Sequence, residues 1–333
     1  ERFLHPTRLT RPRELNPALS PQIEEGLLWG LESHPAARPE NAAQFLEALK
    51  NGVSHKGGLL LPALSPSWKN AFSQNVALFQ LLIVAVFTLA AWEWADLSSV
   101  TGAKGRCLFA AVLGLLIVVF STAANVALFI ELDFLPSVAL RDIVGLGVLC
   151  WAMALLWVMT YPGSAAIWGH KIARMIMGTL VIVPSAVALL YVVTLADGAW
   201  LFLYLVGIVA AADIGAYFSG RKFGKAKLAP KVSPGKSWAG FFGGAISVLI
   251  YAVAVVCLTD LASLSKLSWI LITLVASLAS VLGDLLESMV KRHRGIKDSS
   301  QLLPGHGGIM DRVDSMTAAA PVFVLLLVLL SGQ

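Results

Sequence analysis

Long apolar runs separated by short polar connections occupy the chain from about residue 75 to its end, whereas residues 1–72 are polar, proline-rich and mixed in charge. A helix needs roughly 20 mostly apolar residues to cross the hydrocarbon core of a bilayer. Eight stretches meet that length, near residues 75–95, 107–130, 138–161, 172–194, 198–219, 238–259, 267–290 and 315–331. Each must satisfy its backbone groups internally, and the alternation that barrel strands require is absent, so the pattern predicts an all-α polytopic transmembrane bundle. The expected organisation is a small soluble helical N-terminal segment, residues 1–72, followed by a membrane-embedded domain, residues 73–333.

Composition agrees: 57% of the 333 residues are hydrophobic and 14% are charged, well below the roughly one quarter usual in soluble domains. The net charge of +5 is modest, and the cations gather in a few connections rather than on one face, which argues against a nucleic-acid partner. Cys107, Cys150 and Cys257 stand singly in apolar runs, without metal-ligand or pairing spacing, and read as small core residues. Two connections are strongly basic: 220–237 carries Arg221, Lys222, Lys225, Lys227, Lys231 and Lys236, and 291–314 carries Lys291, Arg292, Arg294, Lys297 and Arg312. The positive-inside rule puts both in the cytoplasm, and the two spans between them agree. Counting back through five spans places the N-terminal segment outside.

The seventh span ends in a polar face. Asp284, Glu287, Ser288 and Lys291 fall at i, i+3, i+4 and i+7 and share one side of a helix. An intramembrane carboxylate is expensive, so Asp284 is either functional or one half of an ion pair with Lys291. Beyond it come Lys297-Asp298, a glycine-rich turn around His306, Gly307 and Gly308, and then Asp311 and Asp314, again at helical spacing. Oxygen ligands of this kind suit Mg²⁺, which takes one or two carboxylates together with substrate phosphates. The surrounding cations suit phosphate. Together these groups equip a site for phosphoryl or nucleotidyl transfer. Glu93 sits between Trp92 and Trp94 and reads either as a cavity residue or, preferably, as an interfacial anchor. His306 reads as a local brace for the turn, or else as a proton-transfer group.

The run Ser288-Met289-Val290-Lys291-Arg292, four residues, Lys297-Asp298, then His306-Gly307-Gly308-Ile309-Met310-Asp311-Arg312-Val313-Asp314 resembles the signature of the CDP-diacylglycerol synthase (phosphatidate cytidylyltransferase) family. Asp213-Ile214-Gly215-Ala216-Tyr217-Phe218-Ser219-Gly220-Arg221, Phe223-Gly224-Lys225 and Ser233-Pro234-Gly235-Lys236-Ser237-Trp238-Ala239-Gly240 are also similar to that family, with Gly235 in place of a usual Lys and Ala239 in place of a usual Glu. The likeness covers about residues 75–331, and includes Trp92-Glu93-Trp94-Ala95.

The resemblance implies transfer of CMP from CTP to phosphatidic acid, in the cell (inner) membrane, at a site open to the cytoplasmic side. It implies Mg²⁺ on Asp284 and Asp311. Lys291, Arg292, Lys297, Asp298, His306, Arg312 and Asp314 would be the catalytic set, and Asp213, Ser233, Lys236, Ser288, Gly307 and Gly308 would bind substrate. One or two metal ions, and a monomer or a homodimer, stay open. Rival readings are an ion-coupled transporter, which would scatter charge along a pathway, and a membrane transferase acting on another lipid. Residues 11–50 weakly resemble the last helices of a protein-kinase C-lobe, or form a generic two-helix extension; no glycine loop, catalytic loop or Asp-Phe-Gly accompanies them.

Overall fold

A computed structural model describes residues 23, 27, 75–126, 128, 139–195, 197–259, 264–305 and 307–331. The chain divides into two units, Glu1–Leu61 and Pro62–Gln333. In the first, Ile23 and Leu27 are described, both helical, so the kinase-like stretch otherwise falls outside the described residues.

Pro62–Gln333 is built from helices α1 (Val76–Leu97), α2 (Ala103–Ala123), α3 (Leu140–Met159), the short α4 (Ala165–Trp168), α5 (Lys171–Thr194), α6 (Gly198–Phe223), α7 (Trp238–Leu258), α8 (Lys266–Arg294) and α9 (Met310–Ser331). All but α4 are long and apolar enough to span a membrane. The apolar pattern predicts each of these spans, but not that α8 continues to Arg294 or that α9 begins at Met310. Between α6 and α7 an antiparallel hairpin pairs β1 (Lys227–Ala229) with β2 (Ser233–Ser237), in the register Lys227 to Ser237 and Ala229 to Ser233.

Lipid supplies no hydrophobic drive for helices to associate, so close packing of small residues must hold the bundle together. The most enclosed span is α5. It meets α1 where Trp94, fully buried, donates from Nε1 to the Arg174 carbonyl at 2.8 Å. Arg174 in turn donates to the Leu97 carbonyl at 2.6 Å, tying down the end of α1. Gly178 makes the contact possible, because a Cβ there would lie 2.1 Å from Trp94 Nε1. Gly178→Ala is therefore expected to destabilise the protein by about 1–3 kcal/mol, the usual cost of overpacking, visible as a lower unfolding temperature in detergent. Gly145→Ala, where a new Cβ meets nothing within 4 Å, is expected to leave that temperature unchanged or raise it.

Arg294 Nε donates to the Asp96 carbonyl at 3.1 Å, and Arg292 Nε lies 3.4 Å from the Val232 carbonyl in the hairpin. The end of α1, the hairpin, the end of α8 and the start of α9 thus meet at one end of the bundle. Both basic connections lie there, as the two spans between them require.

Candidate active site

Carboxylates and ammonium groups alternate at this polar end. Lys236, on β2, places Nζ 2.7 Å from Asp284 Oδ2, and Ser288 Oγ donates to Asp284 Oδ1 at 3.1 Å. Asp213 and Asp314 both lie within electrostatic reach of Asp284 and Lys236. Two turns beyond Asp284 along α8, Lys291 places Nζ 2.7 Å from Glu287 Oε2 and 2.6 Å from Asp311 Oδ1. Lys291 and Glu287 are buried. Spacing along the helix allowed an Asp284–Lys291 pair, but two turns separate the residues by about 10.5 Å; Asp284 pairs instead with Lys236 on β2, and Lys291 with Glu287 on α8 and Asp311 on α9. Helix α9 reaches α8 through Gly283, where a Cβ would meet the Asp314 carbonyl at 2.3 Å.

Asp311 is enclosed by the loop that precedes it. Gly308 N donates to Oδ2 at 2.8 Å and Ser299 N at 3.0 Å, while Lys291 takes Oδ1. The Ser299 hydroxyl lies between Asp311 Oδ2 at 3.0 Å and Glu93 Oε2 at 2.9 Å, with one proton to donate between them. Gly307 has a φ of 83°, in the left-handed region. Gly308 leaves no room for a side chain, since a Cβ would sit 2.0 Å from Ser299 Oγ. This turn therefore acts as a backbone cradle for Asp311.

Glu93 corrects the interfacial-anchor reading. It is 0% exposed. Its Oε1 accepts from Ser300 Oγ at 2.6 Å and Ile309 N at 2.9 Å, and its Oε2 accepts from Met310 N at 2.6 Å. It thus receives backbone donors at the start of α9, a favourable position for a carboxylate, and pins the loop to α1. The two flanking tryptophans pointed toward an anchor. Partners more than 200 residues away left no local signal.

A cavity of about 530 Å³ opens beside Asp284, lined by Asp213, Arg221, Lys236, Ser237 and Ser315 among others. Ser237 also caps α7, accepting from Gly240 N at 3.1 Å. Ser233 begins β2 outside this lining, and Arg292 and Lys297 are exposed. Asp298 is exposed too. His306 lies outside the described residues. A second cavity, about 420 Å³, is lined by Asp213, Arg312 and apolar side chains. Ser288, Lys291, Gly307, Gly308, Asp311 and Asp314 are thus brought to one end of the bundle with Asp284 and Lys236.

Among the described residues, no three His, Cys, Asp or Glu side chains form a group able to hold a metal ion alone. That donor set fits a hard cation which takes one or two carboxylates and completes its shell with water and substrate phosphates. Asp284, one-third exposed on its side chain, fits that role most openly. Asp311 fits it through Oδ1, whose present partner is Lys291.

Comparison with known proteins gives a consistent picture. The family model described as the cytidylyltransferase family matches residues 69–330. A phosphatidate cytidylyltransferase of Pseudomonas aeruginosa is 44% identical over 253 residues, covering 75% of this chain and 88% of that protein. One from Haemophilus influenzae is 40% identical over 256 residues, covering 74% and 88%. One from Staphylococcus haemolyticus is 44% identical over 135 residues, covering 40% and 52%.

Proposed function

This chain belongs to the cytidylyltransferase family, and we propose that it transfers CMP from CTP to phosphatidic acid, giving CDP-diacylglycerol and pyrophosphate. A phosphate oxygen of phosphatidate attacks the α-phosphorus of CTP. A new P–O bond forms as the bond to the β-phosphate bridging oxygen breaks, and pyrophosphate leaves with that electron pair. Both reactants are anions, so the protein must bring like charges together without a strong general base.

The observation that carries this reading is the interleaving of Lys236 and Lys291 with Asp284, Glu287 and Asp311 at a single polar end of an apolar bundle. We assign the cavity beside Asp284 to the triphosphate, gripped by Lys236 and Arg221, and Arg312 to the lipid phosphate. Lys291 carries three ammonium protons; two face Glu287 and Asp311, and the third is assigned to phosphate. Asp284 and Asp311 would hold Mg²⁺, which when bound neutralises phosphate charge and orients the reactants. Arg292 and Lys297 draw anions toward the site from its exposed rim. The site opens toward the cytoplasmic side of the cell membrane, a placement supported by the two basic connections. We assign the transfer reaction to residues 73–333. Among the described residues the buried and half-buried ion pairs gather at one end rather than along a pathway, which disfavours a transporter.

Purified protein in mixed micelles, given phosphatidate and CTP labelled at the α-phosphate, is expected to produce labelled lipid. Chelation of divalent metal should abolish it and excess Mg²⁺ restore it. Asp284→Asn should lower the rate at least a hundredfold, in the range seen when a preorganised electrostatic group is lost. Unlabelled lipid from folded wild-type protein, or full activity in chelator, would overturn the proposal.

A further inference from the structure

The second cavity runs in the opposite chemical sense to the first. Its head carries Arg312 and Asp213, and the rest of its lining is apolar, drawn from α1, α5, α6 and α9. Asp213 also lines the nucleotide cavity, so the two spaces share a wall. From Asp213 the groove descends α6 to Phe202, eleven residues away and so about 16 Å along the axis. That depth matches one leaflet of a hydrocarbon core about 30 Å thick, the reach of a single acyl chain. Leu82 and Val206, on its rim, are 54% and 38% exposed, which opens the groove sideways to lipid. At its floor α1 and α6 meet edge to face through Phe79 and Phe202, with ring centroids 5.0 Å apart.

We propose that this groove between α1 and α6 receives one acyl chain of the lipid substrate from within the bilayer, and that the Phe79–Phe202 pair sets the chain length it accepts. The inference rests on the cytidylyl-transfer reading above and adds the site and selectivity for the lipid tail. Its physical basis is complementarity at both ends. Arg312 offers a cation to the phosphate, apolar walls cover the methylenes, and two rings close the space where a longer chain would continue. Val209 lines the middle of the groove, between head and floor. A larger side chain there shortens the available depth.

The test compares kcat/KM for phosphatidates of graded acyl length. Phe202→Ala should raise the ratio of long-chain to medium-chain turnover by about tenfold, and Val209→Trp should lower it by a similar factor, the scale at which an apolar pocket discriminates methylenes. Leu108→Ala, on a lipid-facing position of α2 that is 67% exposed, serves as control and should leave the profile as in wild type. Either groove variant suffices, so misfolding of one leaves the other decisive. If wild type is active and both groove variants keep its length profile, the groove assignment falls alone. If wild type makes no product at any chain length, the transfer reading falls and takes the groove with it.

Discussion

Lys291→Met is expected to reduce CDP-diacylglycerol formation by at least two orders of magnitude and to lower the unfolding temperature in detergent. The ammonium group lies between Glu287 Oε2 and Asp311 Oδ1 at 2.7 and 2.6 Å, and Glu287 is 1% exposed. Removing one partner of a buried pair costs about 3–5 kcal/mol, because the remaining charge has neither water nor a counterion. Stability and chemistry therefore fall together in this variant, and a second substitution separates them. Lys291→Met combined with Glu287→Gln removes the stranded carboxylate and is expected to recover most of the unfolding temperature while turnover stays low. Recovery of turnover along with stability would mean that Lys291 only holds the helices together and has no part in binding phosphate. Lys291→Arg should also fall short, since a planar guanidinium cannot occupy a point between two carboxylates as an ammonium does.

The other large effect is expected at Glu93, which touches neither cavity lining yet governs the loop that positions Asp311. Glu93→Ala removes the acceptor for Ile309 N, Met310 N and the Ser300 hydroxyl. Each buried donor left unpaired costs about 1–3 kcal/mol, enough to release the segment between α8 and α9. Ser299, placed between Glu93 and Asp311, would lose one of its two carboxylate neighbours. A shift of about 1 Å in a catalytic group can cost a hundredfold in rate, and a loss of that size is the expected outcome. Glu93→Gln keeps the shape and one acceptor oxygen and should retain more activity. Limited trypsin digestion gives an independent readout, because cleavage after the exposed Lys297 should accelerate in Glu93→Ala. Unchanged rates of both turnover and cleavage would show that the loop holds its position without Glu93.

Much of the architecture was legible because a bilayer tests each segment separately. Twenty apolar residues are favourable in lipid whatever their neighbours, so all eight spans could be read from local hydropathy, with their ends displaced by several residues. The polar face of α8 was equally local: Asp284, Glu287, Ser288 and Lys291 share a side through helix geometry alone. The hairpin of β1 and β2 was not visible, since strands of three and five residues are too short for an alternating pattern to stand out in a basic, proline-containing connection.

What the sequence determined by itself was therefore the membrane class, the spans, the single polar end and the residue types gathered there. Only the tertiary structure decided the partners. Asp284 meets Lys236 rather than Lys291, Lys291 joins Glu287 to Asp311, Glu93 closes on a loop two hundred residues away, and a groove forms between α1 and α6. The physical reason is that insertion into lipid depends on composition within one segment, whereas a hydrogen bond or a cavity depends on where two segments stop approaching each other. That distance is set by side chains such as Gly178 and Gly283, whose small size signals nothing until the facing helix is in place.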